Sequence, residues 1–131
     1  MSHDACSCTG NSLDRFVRPS VMAVLARHPE GLHGYLVAQH LQEMTAFGDC
    51  PPDPAGLYRV LKTMETEGYL RSSWDVEGSG PARRVYALTN EGWDCLHHWV
   101  GTLRTYARTL QETLCYVEQS LQPAGVSIPN S

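Results

Sequence analysis

Apolar residues recur every three or four positions over four heptads in the C-terminal part of this chain. The positions are Trp93, Leu96, Val100, Leu103, Ala107, Leu110, Leu114, Val117 and Leu121. Because this spacing places one apolar stripe along one side of an α-helix, we predict a helix from about Asn90 to Leu121. At 1.5 Å per residue the helix would be ~48 Å long, too long for a domain of this size to cover. The stripe therefore predicts a homodimer formed through residues 90–121.

A second apolar column flanks this stripe and contains Trp99 and Tyr106. The apolar face is therefore broader than the seam of a two-stranded coiled coil. We expect the long helix to pack against the partner's first helix as well as its last.

Residues 53–68 predict a shorter helix with two different sides. Asp53 is a good N-cap acceptor, Pro54 suits the first helical position, and Gly68 can end the helix in a left-handed conformation. The buried stripe of this helix contains Leu57, Val60, Leu61 and Met64. The other side carries Tyr58, Arg59 and Lys62.

A β-hairpin is predicted directly after this helix. Apolar and polar residues alternate over 70–76 and again over 83–88, and GSGP supplies the turn between them. Successive strand residues point to opposite faces, so Arg83 and Arg84 cannot both face the same partner. We expect one of them to bind a phosphate and the other to point outward or to pair with a carboxylate.

Two more helices precede these elements, one from near Arg18 to before Pro29 and one at about 33–46. Tyr35 and His33 are expected to serve the second helix start and the core. The predicted domains are a disordered tail at 1–12, a winged-helix domain at 13–89, the dimerisation helix at 90–121 and a flexible tail at 122–131. The fold class is mainly α with a small β-hairpin, a winged helix-turn-helix followed by a long C-terminal helix.

This arrangement indicates binding to double-stranded DNA. The major groove admits one helix, and an adjacent hairpin can bring cations to the flanking phosphates. The net charge of the 131 residues is −4, so any DNA contact must be local. The candidate DNA-binding residues are Tyr58, Arg59, Lys62, Arg83 and Arg84. A dimer would place two such DNA-binding surfaces about one turn of the DNA helix apart, and this spacing would fit a pseudo-palindromic operator.

Three segments, LHGYLVAQHLQE, AGLYRVLKTMETEGYLRSSW and GPARRVYALTNEG, resemble the PadR family of winged-helix transcriptional regulators. The resemblance covers roughly residues 20–121 and implies a dimer, operator binding that usually causes repression, and release by a small effector. It also implies that Tyr58 and Lys62 face the groove or its phosphates and that Arg83 or Arg84 is the wing cation. The chain departs from the family pattern at Ala55, where a small hydroxyl-bearing residue is usual, and at Arg59, where proline is frequent. Arg59 could compensate by reading a guanine.

Drug-binding members of this family hold flat apolar ligands between aromatic residues at the dimer centre. The resemblance therefore implies an aromatic effector pocket formed by Trp93, Trp99 and Tyr106. Simple packing is the alternative, and it suits Trp93 best because this residue lies within the apolar stripe.

Other functions have less support in the sequence. We find no phosphate-binding loop, nucleophile elbow or metal cluster, so we expect no enzyme, no catalytic residue, no metal and no cofactor. Five cysteines without regular spacing, and no secretion signal or membrane span, predict a cytoplasmic protein. One alternative is a winged-helix adaptor that binds protein rather than DNA. Another is a thiol- or metal-responsive regulator that uses His3, Cys6, Cys8 and Cys50, although their spacing is not a zinc pattern.

Overall fold

The computed structural model describes residues 16–44, 53–78 and 80–122. Within these residues four helices and three strands follow one another as α1 (Val17–Ala26), β1 (Leu32–His33), α2 (Gly34–Glu43), α3 (Pro54–Thr66), β2 (Leu70–Asp75), β3 (Arg83–Leu88) and α4 (Asn90–Ser120). The chain divides into two units, of which the first ends at Leu96 and the second begins at His97. The mainly α winged-helix fold and the long C-terminal helix predicted from the sequence are confirmed.

The predicted start of α3 is also confirmed. Pro54 occupies the first turn, and the Asp53 carboxylate accepts a hydrogen bond from the Gly56 amide at 3.1 Å. This bond satisfies one of the amides that a helix start leaves without a partner. At the other end, Gly68 has a φ of 90°, a left-handed conformation that glycine adopts without strain. Local sequence therefore fixes both ends of this helix.

Apolar side chains from the first three helices and the sheet form one core. Leu57, Leu61 and Met64 of α3 are fully buried, as the sequence predicts. They are joined in the core by Val21, Met22, Leu25, Val37, Leu41 and Leu70. Burial of each such side chain contributes roughly 1.5–3 kcal/mol relative to exposure. The core consequently holds α3 with its polar side outward.

The sheet has one strand more than the sequence predicts. Its order is β1-β3-β2 and both pairs are antiparallel, with Leu32 of β1 opposite Tyr86 of β3. A two-residue strand is too short to show alternation, which is why the sequence indicates only the hairpin. The second helix is shorter than predicted, since α2 ends at Glu43 and Met44 is already extended.

The start of α4 is fixed against the turn between α3 and β2. The Thr89 amide donates to the Tyr69 carbonyl at 3.1 Å, and the Thr89 hydroxyl donates to the Gly68 carbonyl at 2.6 Å. The Gly92 amide in turn donates to that hydroxyl at 3.0 Å. A Cβ atom on Gly92 would lie 2.1 Å from the Tyr69 carbonyl oxygen, so only glycine fits here.

The second unit contains the rest of α4, whose apolar stripe is exposed in the single chain. Leu110 is 66% exposed and Leu114 51%, and Val100, Leu103 and Val117 are exposed as well. No helix among the described residues is long and apolar enough to cross a membrane. The predicted tail at 1–12 lies outside the described residues. Of the predicted tail at 122–131, residues 123–131 also lie outside them.

Candidate nucleic-acid interface

The outward side of α3 is cationic. Arg59 and Lys62 are exposed and border a shallow cavity of about 390 Å³. Glu67 also lines the cavity, but its carboxylate pairs with the Arg18 guanidinium at 2.5 Å. Neither Arg59 nor Lys62 forms an ion pair with another residue that the structure describes. Their charges therefore remain available to an anionic partner.

Arg59 extends back over the first turn of α3. Its Nη2 atom lies 3.6 Å from where a Cβ atom on Gly56 would be. In helix-turn-helix proteins the N-terminal residues of the recognition helix contact the base edges. The guanidinium of Arg59 thus lies near the N-terminal turn of α3.

Tyr58 lies on the same helix, and its side chain is partly exposed and partly packed against the start of α2. The residue is 43% exposed, and Cε1 lies 2.8 Å from the Cβ position that any other residue would have at Gly34. The ring of Tyr86 lies 3.3 Å from the same position, and burial raises the pKa of the Tyr86 hydroxyl. The glycine at the start of α2 therefore lets two tyrosine rings approach the backbone.

Arg84 lies on the wing, which is the hairpin of β2 and β3 (Leu70–Leu88), and it contacts both α3 and the hairpin itself. Its Nη2 atom lies 3.6 Å from the Glu65 carboxylate, and its Nε donates to the Ser72 hydroxyl at 3.0 Å. The guanidinium also lies 5.0 Å from the centre of the Trp74 ring. Of the two wing arginines, Arg84 is the one that forms an ion pair with a carboxylate, and this contact connects the wing to α3.

Arg83 points to the other face of the hairpin. Its Nη1 atom donates to the Tyr35 hydroxyl at 3.0 Å, and its guanidinium lies 5.2 Å from the centre of that ring. Asp75 is the cross-strand neighbour of Arg83, yet it accepts a hydrogen bond from His33 Nε2 at 2.9 Å. This bond is the main reason why the pKa of the Asp75 carboxyl is lowered.

Tyr35 lies in the first turn of α2, as expected, but it does not belong to the core, because it is 41% exposed. The buried residues of α2 are Gly34, Val37 and Leu41, at spacings of three and four. Tyr35 lies off this stripe. The three- and four-residue spacing from Gly34 to Val37 and Leu41 in the sequence is the signal that places Tyr35 at the surface.

Sequence comparison identifies the family. The profile of the transcriptional regulator PadR-like family matches residues 21–98, more than half of the chain. The chain belongs to this family. The resemblance seen in the sequence motifs is thereby confirmed.

Solved structures show the same fold. A PadR family transcription regulator from Clostridium difficile has a TM-score of 0.63 and 24% identity, over 76% of this chain and 98% of its own. One from Eggerthella lenta has a TM-score of 0.63 and 24% identity, over 86% and 97%. Bacillus subtilis PadR, solved in complex with operator DNA, has a TM-score of 0.57 and 22% identity, over 66% and 46%. No curated protein sequence matches the chain significantly.

The remaining candidate residues belong to α4 or fall outside the described residues. Trp93, Trp99 and Tyr106 lie on α4 and are each half-buried. His3, Cys6, Cys8 and Cys50 lie outside the described residues. Among the residues that are described, no three histidine, cysteine or acidic side chains come close enough together to hold a metal ion.

Proposed function

We propose that this PadR-like protein binds double-stranded DNA in a sequence-specific manner and represses transcription in the cytoplasm. The observation that carries the proposal is the outward side of α3, where Arg59 and Lys62 face away from the core without a carboxylate partner among the described residues. The fold it shares with Bacillus subtilis PadR, which has been solved with operator DNA, supports the same function.

In this proposal α3 enters the major groove and the wing contacts the backbone. Arg59 reads a base, Tyr58 and Lys62 contact the groove or its phosphates, and Arg83 binds a phosphate beside it. Arg84 contributes by holding the wing against α3 through Glu65. A locally cationic surface of this kind can bind DNA although the net charge of the chain is −4.

The proposed active species is a homodimer. The exposed apolar stripe of α4 is larger than scattered surface leucines would explain, and a second copy of the same stripe would cover it. We also propose contact with the partner's first helix. Two DNA-binding surfaces related by a twofold axis, each formed by α3 and the wing of one copy, would fit a pseudo-palindromic operator.

Release by a small aromatic effector is part of the proposal. Trp99 and Tyr106 lie on the margin of the stripe, and both are half-buried in the single chain. An aromatic ligand stacked on them should quench tryptophan fluorescence and weaken DNA binding. Titration with a panel of planar phenolic and cationic aromatic compounds tests this, and a panel without any change would contradict the effector role.

DNA binding is tested by fluorescence anisotropy with duplex from upstream of the protein's own gene and with scrambled duplex, each at two salt concentrations. We expect tighter binding to the upstream duplex and a steep loss of affinity with salt. Lys62→Ala should reduce the salt slope by about 0.9 for each phosphate that the lysine neutralises. Arg108→Ala, which removes an exposed cation from α4, is the matched control and should leave the slope unchanged.

Lys62 also permits a direct footprint, because it is the only lysine in the sequence. An amine-reactive reagent followed by peptide mass spectrometry reports on this side chain alone. DNA should protect it. The alternative, an adaptor that does not bind DNA, predicts no duplex binding even at low salt and full reactivity of Lys62 in the presence of duplex.

A further inference from the structure

The wing contains an aspartate and an arginine that face each other without pairing. Asp75 and Arg83 are directly opposite in the β2–β3 register, where opposite charges ordinarily attract each other. Instead, one Asp75 carboxylate oxygen accepts from His33 Nε2 at 2.9 Å and the other accepts from the Glu77 amide at 3.1 Å. Each oxygen therefore has a donor other than Arg83, whose charge is only the smallest of the causes that lower the pKa of Asp75.

Arg83 has an uncharged partner. Its guanidinium donates to the Tyr35 hydroxyl at 3.0 Å and lies 5.2 Å from the centre of the ring. Such a partner fixes the guanidinium without cancelling its charge. Because the Tyr35 oxygen accepts this bond, its own hydrogen remains able to donate to another acceptor. Both side chains are exposed.

We propose that Tyr35 and Arg83 bind one DNA phosphate together, and that His33 is a positioning residue that keeps Asp75 away from Arg83. We call the first pair the Tyr35–Arg83 clamp. The inference rests on the proposed DNA-binding function and assigns a phosphate contact to Tyr35. Arginine is suited to such a contact because its planar fork can donate two parallel hydrogen bonds to phosphate oxygens.

The role of His33 follows from what its loss would permit. The imidazole precedes α2 and reaches across to β2, so it connects the clamp's helix to the wing. Without this donor, the Asp75 carboxylate can turn to the guanidinium of Arg83. The new pair would neutralise Arg83 and so remove its attraction for a phosphate.

The clamp is tested by measuring the salt dependence of binding to a random-sequence duplex, because phosphate contacts do not depend on base sequence. Arg83→Ala should lower the slope of log affinity against log salt by about 0.9 for each DNA-binding domain that is bound. This corresponds to about eightfold weaker binding per domain at ~0.1 M salt. Tyr35→Phe keeps the ring but removes the hydroxyl, and it should weaken binding in the same direction. An unchanged slope in Arg83→Ala, or an unchanged affinity in Tyr35→Phe, would overturn the clamp.

The positioning role is tested by combining substitutions at two sites. His33→Ala should reduce affinity and slope as Arg83→Ala does, whereas His33→Gln keeps a donor for Asp75 and should bind like the wild type. Adding Asp75→Asn should restore binding to His33→Ala far more than it improves the wild type. An equal gain in both backgrounds would show that Asp75 acts only through its general charge, and His33 would then have no positioning role.

Failure of the clamp can be told apart from failure of the proposed function. A wild-type protein that binds no duplex at low salt refutes DNA binding itself. A wild-type protein that binds duplex, with a slope reduced by Lys62→Ala, refutes the clamp alone if Arg83→Ala leaves the slope unchanged or Tyr35→Phe leaves the affinity unchanged. Thermal unfolding of each variant, followed by circular dichroism, confirms that the affinities compare folded proteins.

Discussion

Replacement of Gly92 by alanine should destabilise the protein although alanine is the better helix former. The added Cβ atom would lie 2.1 Å from the Tyr69 carbonyl oxygen, 3.2 Å from the carbonyl carbon and 3.0 Å from Leu88 Cδ2. So close an approach to backbone cannot be relieved by rotating a side chain, so the start of α4 must move. That movement would disturb the hydrogen bonds from Thr89 to Tyr69 and Gly68.

The expected loss can be worked out from these distances. Overpacking at a rigid site costs about 1–3 kcal/mol, and weakening the Thr89 bonds adds about 1 kcal/mol. The higher helix propensity of alanine returns about 1 kcal/mol. We therefore expect Gly92→Ala to lower the free energy of unfolding by roughly 1–3 kcal/mol and the Tm by several degrees.

Gly101 provides the matched control, because it lies in the same helix and a Cβ atom there would meet nothing within 4 Å. Gly101→Ala should raise stability by up to about 1 kcal/mol. Thermal and urea unfolding followed by circular dichroism measure both variants. If Gly92→Ala were as stable as Gly101→Ala, the close approach of α4 to the Tyr69 carbonyl would not exist in solution.

Three further predictions concern binding, assembly and pH. Arg59→Ala should reduce discrimination between upstream and scrambled duplex by about 1–3 kcal/mol in competition anisotropy. Arg59→Lys should not restore the discrimination, because lysine lacks the planar guanidinium. An unaltered preference for the upstream duplex in both variants would exclude base reading by Arg59. Leu114→Asp in the exposed stripe should convert the dimer to monomer in sedimentation equilibrium, whereas a dimer that survives would place the interface elsewhere. Because the folded-state pKa of Asp75 is lowered, chiefly by His33, its contribution to stability is present above the ordinary aspartate pKa of about 3.9 and is lost as pH falls through the lower folded value. The stability difference between wild type and Asp75→Asn should accordingly shrink in acid unfolding curves below about pH 4, and a difference independent of pH would contradict this linkage.

Local sequence was sufficient for the elements whose signals lie within a few neighbouring residues. Asp53 and Pro54 indicated the start of α3, and the spacing of Leu57, Leu61 and Met64 indicated its buried side. The same periodicity indicated α4 over 31 residues. These features repeat at the pitch of the helix itself, so they can be recognised without knowing what packs against them.

The candidate interface was predicted only in part. The outward position of Lys62 and Arg59 followed from the stripe on the opposite side of α3. Alternation along the strand also showed that Arg83 and Arg84 point to opposite faces of the hairpin. It could not show which of them forms an ion pair with a carboxylate. The two-residue strand β1 was missed because it is too short to show alternation and because its partner strand β3 lies far away in the chain.

By itself, the sequence determined the helices, the hairpin and the family of this protein, because periodicity, capping residues and short motifs are properties of neighbouring residues. Only the tertiary structure decided that Arg83 meets Tyr35 across 48 positions and that Asp75 meets His33 across 42. Contacts of this kind depend on how β1, α2 and the wing are brought together by burial of the shared core. No spacing along the chain encodes them, since the hydrophobic effect that assembles the core is not directional.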